Sequence, residues 1–330
     1  MNDVVDRARS LFDSCLVWDA HAGFETPPGM DLGCLTEWKQ AGVGFLSVNV
    51  GYDVWRWERC VESLAVARRW ILASEDYALV GSVEEIRRAN QRGQMAVAFD
   101  IEGMNALNGS VDMVHLYHAL GVRQMLFAYN RNNLAGGGCH DDDCGLTAFG
   151  RQVVDAMNAL GMLVDCSHTG YRTTMDVMAY SDRPVIFSHS NPRALSNHER
   201  NIRDDQALAC AQTGGVVGVN GIDCFLGGGI DTARLADHVV YWLDLVGSDH
   251  VGIGLDYFGP PGEEDGFTDT LAGNAEFWPP DQYPGGEVDC ARPSQLLELA
   301  ECLLARQCDE ETIRAVLGGN FRRVAQAVWG

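Results

Sequence analysis

Short apolar segments recur along the whole chain, separated by stretches long enough to form helices. Eight of them are rich in Val, Ile, Leu and Phe, and they cover residues 16–21, 44–50, 95–102, 123–130, 162–168, 184–190, 215–221 and 250–256. Continuous apolar runs of this length are typical of parallel strands covered on both faces, although periodicity alone does not separate them from buried helix. Amphipathic helices are expected between them, for example at 58–75, 147–160, 203–213 and 231–246.

Eight strand–helix units in 330 residues predict one α/β domain rather than two doubly wound domains. We expect a (β/α)8 TIM-like barrel that spans residues 1–330, because no linker or change of composition divides the chain. The stretch 257–292 is rich in Gly and Pro and follows the eighth strand. Because so long a loop is usually functional or mobile, we expect an insert or lid there, with a plain surface excursion as the alternative.

The acidic charge of the chain disfavours some classes of binding partner. Asp and Glu number 46 against 24 Lys and Arg, a net charge of −22, which argues against nucleic-acid and anionic-membrane binding. A hydrophobic content of 46% excludes a disordered acidic chain. Neither a signal peptide nor a transmembrane run is recognisable, and eleven scattered cysteines favour reduced thiols, so a cytoplasmic enzyme is expected. A homodimer stays open.

Polar residues collect where the predicted strands end. His21, Glu102, Tyr129, His168, His189 and Asp256 each lie at the carboxyl end of a strand, and in a barrel these ends surround one mouth. Any one of the histidines alone is more often a hydrogen-bonded structural residue than a ligand. Three histidines and a glutamate that each close an apolar strand are hard to explain in that way, because burying so many polar groups without partners is costly.

Imidazole and carboxylate are the ligand types that zinc and similar divalent ions prefer. A bound ion lowers the pKa of its water to about 7 and so supplies hydroxide at neutral pH. Asp256 is placed to accept and deliver a proton, although it could also be a turn or cap acid before Gly259 and Pro260. The pattern therefore predicts metal-dependent hydrolysis.

Several motifs, in this order and spacing, resemble those of the renal (membrane) dipeptidase family, a branch of the metal-dependent amidohydrolase barrels. They are FDIEGMNAL (99–107), GLTAFGRQVV (145–154), LVDCSH (163–168), PVIFSHSNPRAL (184–195), RNIRDD (200–205) and DHVGIGLDYFG (249–259). The resemblance implies a two-zinc site with a bridging glutamate. It also implies cleavage of dipeptides, often with a D-residue at the C-terminal position.

Carried over residue by residue, the resemblance assigns a role to each candidate. His21 would bind the first metal, Glu102 would bridge both metals, and His168 and His189 would complete the second. Arg200 matches the arginine that grips the terminal carboxylate of the substrate.

Asp256 matches the acid that shuttles the proton and meets the free amine of the substrate. Tyr129 stands where the family commonly has a histidine, and its hydroxyl could donate to a developing oxyanion or simply cap the mouth. The first motif of the family is His-X-Asp, whereas this chain has Gly23 in place of the aspartate. Asp19 or Glu25 could lean in to replace it, but neither has the matching spacing.

The leading hypothesis is a zinc hydrolase of small dipeptide-like amides, in which metal-bound hydroxide attacks the carbonyl. Because Gly23 supplies no ligand, the number of zinc ions, one or two per chain, stays open. One alternative is a mononuclear amidohydrolase or lactonase that acts on another small carboxylated substrate. The other is a barrel that binds a small ligand without hydrolysing it.

Overall fold

Parallel strands build the centre of the molecule. The computed structural model describes residues 2–23, 32–258, 266–283 and 288–330, without the side chains of residues 2, 3 and 266–269. Its strands are β1 Trp18–Ala22, β2 Phe45–Tyr52, β3 Tyr77–Leu79, β4 Met95–Glu102, β5 Val122–Leu126, β6 Leu163–Asp165, β7 Val185–Ile186, β8 Val217–Val219 and β9 Val251–Ile253.

The strands curl into a barrel. One parallel sheet runs in the order β1-β2-β4-β5-β6-β7, and a second pairs β8 with β9. A parallel bridge between Phe187 and Val217 connects the two sheets. Beyond β9 the barrel closes, because the Asp256 amide donates to the carbonyl of His21 at 3.1 Å and the Gly23 amide donates to the carbonyl of Tyr257 at 3.1 Å. We refer to this junction as the seam.

Helices cover the outside of the barrel. The α-helices are α1 Asn2–Asp13, α2 Thr36–Gln40, α3 Trp57–Ala73, α4 Val83–Gln91, α5 Asp112–Ala119, α6 Ala148–Leu160, α7 Tyr171–Tyr180, α8 Asp204–Gln212, α9 Asp223–Leu226, α10 Thr232–Val246, α11 Gly266–Gly273, α12 Gln295–Ala305, α13 Glu310–Arg314 and α14 Asn320–Trp329. Side chains cap several amino ends: the oxygens of Ser82, Thr147 and Asp231 accept amide hydrogens of α4, α6 and α10.

The amino ends of the strands are sealed by apolar packing. Trp18 stacks on Phe45 with ring centroids 3.7 Å apart, and Phe321 of α14 stacks on Trp18 from below at 6.1 Å. All eight residues of β2 and of β4 are buried. Access to the barrel interior is therefore confined to the opposite end, where the polar residues lie.

The predicted α/β barrel in a single domain is confirmed, and a strand overlaps each of the eight predicted segments. The short strand β3 was not predicted. It pairs with the first residues of β4, whereas β5 pairs with the last residues of β4. The stretch predicted as irregular contains α11, while residues 259–265 and 284–287 of it lie outside the described residues. No helix in the described part of the chain is both long and apolar enough to cross a membrane.

Candidate active site

The structure brings the predicted ligands together at the carboxyl end of the barrel. His21 lies in β1 and Glu102 ends β4, while His168, His189 and Asp256 each follow a strand by three residues. The side chains of His21, Glu102, His168 and His189 are at least nine-tenths buried. The barrel positions them, because parallel strands deliver all of these ends to the same mouth.

Glu102 lies at the centre of the cluster. Its Oε1 atom is 3.6 Å from Nε2 of His21 and 3.4 Å from Nε2 of both His168 and His189. Oδ1 of Asp256 is 3.4 Å from Nε2 of His21, and its Oδ2 is 3.9 Å from Nε2 of His189. Two groups of potential metal ligands result, one of His21, His189 and Asp256 and the other of Glu102, His168 and His189.

Each imidazole has an oxygen next to its outer nitrogen. Nδ1 of His168 lies 2.7 Å from Oδ1 of Asn130, and Nδ1 of His189 lies 2.6 Å from the hydroxyl of Ser188. Nδ1 of His21 lies 3.2 Å from Oδ1 of Asp100. At His168 and His189 an acceptor at Nδ1 places the proton there and leaves the Nε2 lone pair free for a metal, which is the arrangement found around metal-binding histidines. The Nδ1 atom of His21 lies near Asp100 without forming a hydrogen bond. The sequence places these oxygens at strand ends but does not reveal which imidazole each one orients.

Three residues around the site have a left-handed backbone. Asn130, His168 and Asp256 have φ values of 61°, 59° and 58°, a region that residues other than glycine rarely adopt. Such conformations persist where the surrounding structure imposes them, and they concentrate at functional sites. Here each one turns a side chain into the mouth directly after a strand.

The donor set fits a divalent cation. Oε1 of Glu102 and both ring nitrogens of His21 are buried and make no hydrogen bond to any described residue. Burial, together with repulsion from Asp256 and Asp100, raises the pKa of Glu102 well above its usual range. A cation among these groups would compensate the buried carboxylate of Glu102, whose Oε1 otherwise lacks a partner among the described residues.

The imidazoles differ in their affinity for protons. Burial lowers the pKa values of His168 and His189 well below 6.5, so both are neutral at pH 7. Burial also disfavours the charged form of His21, but the carboxylates of Glu102 and Asp100 outweigh it and raise its pKa. Since a metal binds the neutral imidazole, His168 and His189 are in the ligand form at neutral pH.

Asp19, one of the two proposed substitutes for the missing aspartate, is not placed to help. Asp19 accepts hydrogen bonds from the indole of Trp38 at 2.8 Å and from the amide of Leu255 at 2.9 Å, so both of its oxygens are used in closing the barrel. Glu25 lies outside the described residues. Gly23 itself lies at the mouth, beside Asp256.

Tyr129 lies over the cluster. Its ring stacks on that of His168 with centroids 4.1 Å apart, and Tyr52 and Trp278 contact its edges. Burial raises its pKa well above 10, so the hydroxyl keeps its proton at neutral pH. Asp53 fixes the backbone here, because its Oδ2 accepts the amide of Tyr129 at 3.2 Å. Sequence reasoning missed Asp53.

Arg200 is buried behind His189. Its terminal nitrogens donate to the hydroxyl of Ser190 at 3.0 Å and to the carbonyl of His189 at 2.7 Å. Its Nε atom is buried and has no hydrogen-bond partner among the described residues. The guanidinium lies 5.6 Å from the ring of Phe225, which belongs to the cavity wall.

A cavity that is partly open to solvent lies above the cluster. Its polar side includes Glu102, His168 and Asp256. Much of its apolar wall comes from the stretch after β9, namely Phe258, Leu271, Trp278, Tyr283 and Val288. An apolar pocket with a few converging polar groups is the usual form of a small-molecule site.

Comparison with known sequences identifies relatives of one kind. Residues 25–273 match the model of the family described as membrane dipeptidase, peptidase family M19. An uncharacterized dipeptidase of Schizosaccharomyces pombe is 34% identical over 224 residues, 64% of this chain and 53% of that protein. Dipeptidase tcpJ of Claviceps purpurea is 28% identical over 263 residues, 78% of this chain and 56% of that protein. The matches therefore span little more than half the length of these two relatives.

Solved structures share the whole architecture. An amidohydrolase from Pseudomonas aeruginosa superposes with a TM-score of 0.88 at 27% identity and covers 98% of this chain and 99% of its own. A metallo peptidase from Rhodobacter sphaeroides, liganded with a phosphinate mimic of the dipeptide L-Ala-D-Ala, has a TM-score of 0.75 at 21% identity and covers 96% of this chain and 99% of its own. The family match extends over most of the barrel and includes the strand ends of four of the five clustered residues, so the chain belongs to the membrane dipeptidase family, peptidase family M19.

Proposed function

We propose that this protein is a metal-dependent hydrolase of small dipeptides. The observation that carries the proposal is the position of Glu102 Oε1, buried without a hydrogen bond among the described residues and within 3.6 Å of three imidazole Nε2 atoms. Hydrogen-bond donors or a cation are needed to offset such burial. The family to which the chain belongs, and the dipeptidase names of its relatives, support the same reaction class.

Zinc is the metal that we propose, held by His21, Glu102, His168 and His189 as the motifs imply. When bound, such an ion acts as a Lewis acid and lowers the pKa of a water molecule to about 7, which supplies the attacking hydroxide. Because Nδ1 of each imidazole faces an oxygen, the protein holds the three rings with Nε2 turned inward.

Asp256 and Tyr129 would move and donate protons in this reaction. The carboxylate of Asp256 lies at the mouth, where it can take a proton from the attacking water and pass it to the leaving amine. It can also meet the free amine of the substrate. Tyr129, protonated and facing the same cavity, would donate a hydrogen bond to the carbonyl oxygen as negative charge develops there.

Arg200 remains the proposed partner of the substrate carboxylate. It lies directly behind the wall of the cavity, and its Nε has no partner among the described residues. To reach a substrate it has to release Ser190 or the carbonyl of His189, so binding a carboxylate would be coupled to a movement at the end of β7. Tolerance of a D-residue at the C-terminal position is part of the proposal.

The stretch 257–292 would act as the lid. Its described residues supply much of the apolar wall of the cavity and so help to exclude water from the bound substrate. A cytoplasmic location, which the scattered thiols favour, stays a prediction, and so does a homodimer.

Removal of the metal should abolish hydrolysis. We expect chelated protein to lose turnover of a dipeptide panel with L- and D-residues at the C-terminal position, and stoichiometric zinc to restore it. His168→Ala and His189→Ala should not recover when zinc is added, because each removes an imidazole that faces Glu102. Release of amino acids, measured by chromatography, reports the result. Tight binding of one ligand without turnover by the metal-loaded protein would instead favour a non-catalytic barrel.

One observation favours the mononuclear alternative. Both groups of potential ligands include His189, and its Nε2 has a single lone pair, so the two groups cannot both be complete at once. Metal content per chain, measured by elemental analysis after dialysis, separates the two versions. A value near two supports the pair that the motifs imply, and a value near one supports the mononuclear site.

A further inference from the structure

We propose that Asp256 provides the metal-binding carboxylate that Gly23 cannot provide, and that position 23 has to be glycine for this to happen. The inference deepens the proposed function, on whose metal centre it rests: Oδ1 of Asp256 would bind the metal, and Oδ2 would keep the proposed role in proton transfer. A ligand from the end of β9 would thus take the place of one from the end of β1.

The space beside Gly23 is already filled. A Cβ atom on Gly23 would lie 2.2 Å from Oδ1 of Asp256 and 3.4 Å from its Cγ. The first distance is far shorter than two non-bonded atoms allow. Any side chain at position 23 is therefore incompatible with the present position of the Asp256 carboxylate.

The backbone prevents the two positions from separating. Gly23 and Asp256 are held by the two hydrogen bonds of the seam, each 3.1 Å long. Moving Gly23 away from Asp256 would open the barrel between its last and first strands. A side chain at position 23 would thus displace the carboxylate rather than the backbone.

Asp256 is aimed at the cluster by its own surroundings. Its left-handed backbone, with φ of 58°, turns the side chain toward β1. Oδ2 accepts a hydrogen bond of 3.0 Å from Nδ2 of Asn220, whose own Oδ1 accepts the amide of Ile222 at 2.6 Å. The Asn220 amide is thereby fixed in one orientation. Oδ1 of Asp256 is left facing Nε2 of His21 at 3.4 Å.

The resulting pair has the composition of a metal site. One imidazole nitrogen and one carboxylate oxygen face each other from neighbouring strands, with Glu102 Oε1 3.6 Å from the same nitrogen. Imidazole and carboxylate together are typical zinc ligands. His21 and Asp256 thus offer the same imidazole and carboxylate as a His-X-Asp motif, except that the aspartate comes from the other side of the seam.

Metal titration tests the proposal without any substrate. Zinc or cobalt is added to chelator-treated protein, and affinity and stoichiometry are measured by calorimetry and, for cobalt, by its visible absorption. Asp256→Asn should weaken binding at least about 10–100-fold. Gly23→Ala should weaken it comparably, although it removes no ligand. Asp223→Asn, the same change on α9 outside the cluster, is the matched control and should bind as the wild type does.

A double variant guards against simple misfolding. Glycine at position 256 suits the left-handed backbone there and clears the space beside position 23. Asp256→Gly alone should bind metal weakly, and Gly23→Asp combined with Asp256→Gly should bind it to within a few-fold of wild type.

Two results would overturn the proposal. One is wild-type metal affinity and stoichiometry in both Asp256→Asn and folded Gly23→Ala. The other is a double variant that binds no better than Asp256→Gly. Because no substrate enters these measurements, they stand even if the protein hydrolyses no dipeptide, and their failure leaves the hydrolysis experiment to be judged by itself.

Discussion

Tyr129, which we propose as a hydrogen-bond donor to the substrate, stands where the motifs imply a histidine. It stacks on His168, and burial raises its pKa well above 10. A hydroxyl that never ionises near neutral pH is a dependable hydrogen-bond donor. It cannot, however, carry the positive charge that a histidine would offer to an oxyanion.

Tyr129→Phe should lower kcat by about 10²-fold with little change in KM, because only the hydroxyl that stabilises the transition state is removed. Steady-state hydrolysis at pH 7 measures the effect. Tyr117→Phe is the matched control: it removes a buried tyrosine hydroxyl that donates to the carbonyl of Ala106 at 2.9 Å, away from the cavity. Equal losses in both variants would assign the effect of Tyr129 to stability rather than catalysis.

The clustering of the histidines and Glu102 could be predicted from the sequence because each stands at the carboxyl end of an apolar run. The residues that hold them in place could not. Asp53 bonds the amides of Asn105 and Tyr129, which follow two different strands. Such partners are distant in the chain, and a pattern within one segment carries no information about them.

Among the elements, the described part of the proposed lid is bonded to the barrel by two histidines, among other residues. Nε2 of His140 lies 3.0 Å from the hydroxyl of Tyr283, and Nε2 of His198 donates to the carbonyl of Gln282 at 2.9 Å. Nδ1 of His198 accepts a hydrogen bond of 3.0 Å from the amide of Arg200. Protonation of Nδ1 would break this bond, because both atoms would then be donors. Burial lowers the pKa of both histidines to about 4.

Acid should loosen this part of the lid. Since the pKa of each histidine is depressed from 6.5 to about 4, the opened state binds more protons than the closed state between these values. The closed lid is therefore fully stabilised above pH 6.5 and loses stability as the pH falls toward 4, by up to about 3 kcal/mol per histidine.

Hydrogen exchange of residues 277–283, corrected for its intrinsic pH dependence, measures this loss. His198→Gln should reduce the acid effect, because one titrating group is removed. His115→Gln, at an exposed position on α5, should leave it unchanged. Identical pH profiles in all three proteins would contradict the assignment to His198.

The strands were predictable because two-sided burial makes their sequences continuously apolar. The short strand β3 has three residues, of which only Tyr77 is buried, so no run of that kind marks it. Helix α11 has the sequence GFTDTLAG, in which two glycines and two threonines hide the helical period. Both omissions concern elements that depend on tertiary contacts rather than on their own pattern.

For the molecule as a whole, the net charge of −22 says little about the cavity, whose own lining combines two carboxylates with an apolar wall. The described lining carries Glu102 and Asp256 but no Lys or Arg, alongside a mostly aromatic and aliphatic wall. We therefore expect a substrate with bulky apolar side chains and a free amine.

Dipeptides with large apolar side chains should therefore have higher kcat/KM than Ala-Ala or acidic dipeptides. Trp278→Leu should raise KM for a Phe-containing dipeptide about 10-fold and change that for Ala-Ala much less, because the indole forms part of the apolar wall. Trp70→Leu is the matched control, since Trp70 packs on Tyr77 at 5.2 Å outside the cavity. An equal change in KM for both substrates would count against a role in selectivity.

The seam also determines when the site can exist. Asp19 and Leu255, which bond across it, are 236 positions apart, and His21 and Asp256 are their neighbours in the chain. During synthesis on the ribosome, His21 and Glu102 emerge long before the strand that completes their surroundings. A chain cut short before β9 thus keeps most of the proposed metal ligands but has no closed barrel to hold them. Metal retention would then distinguish finished molecules from truncated ones.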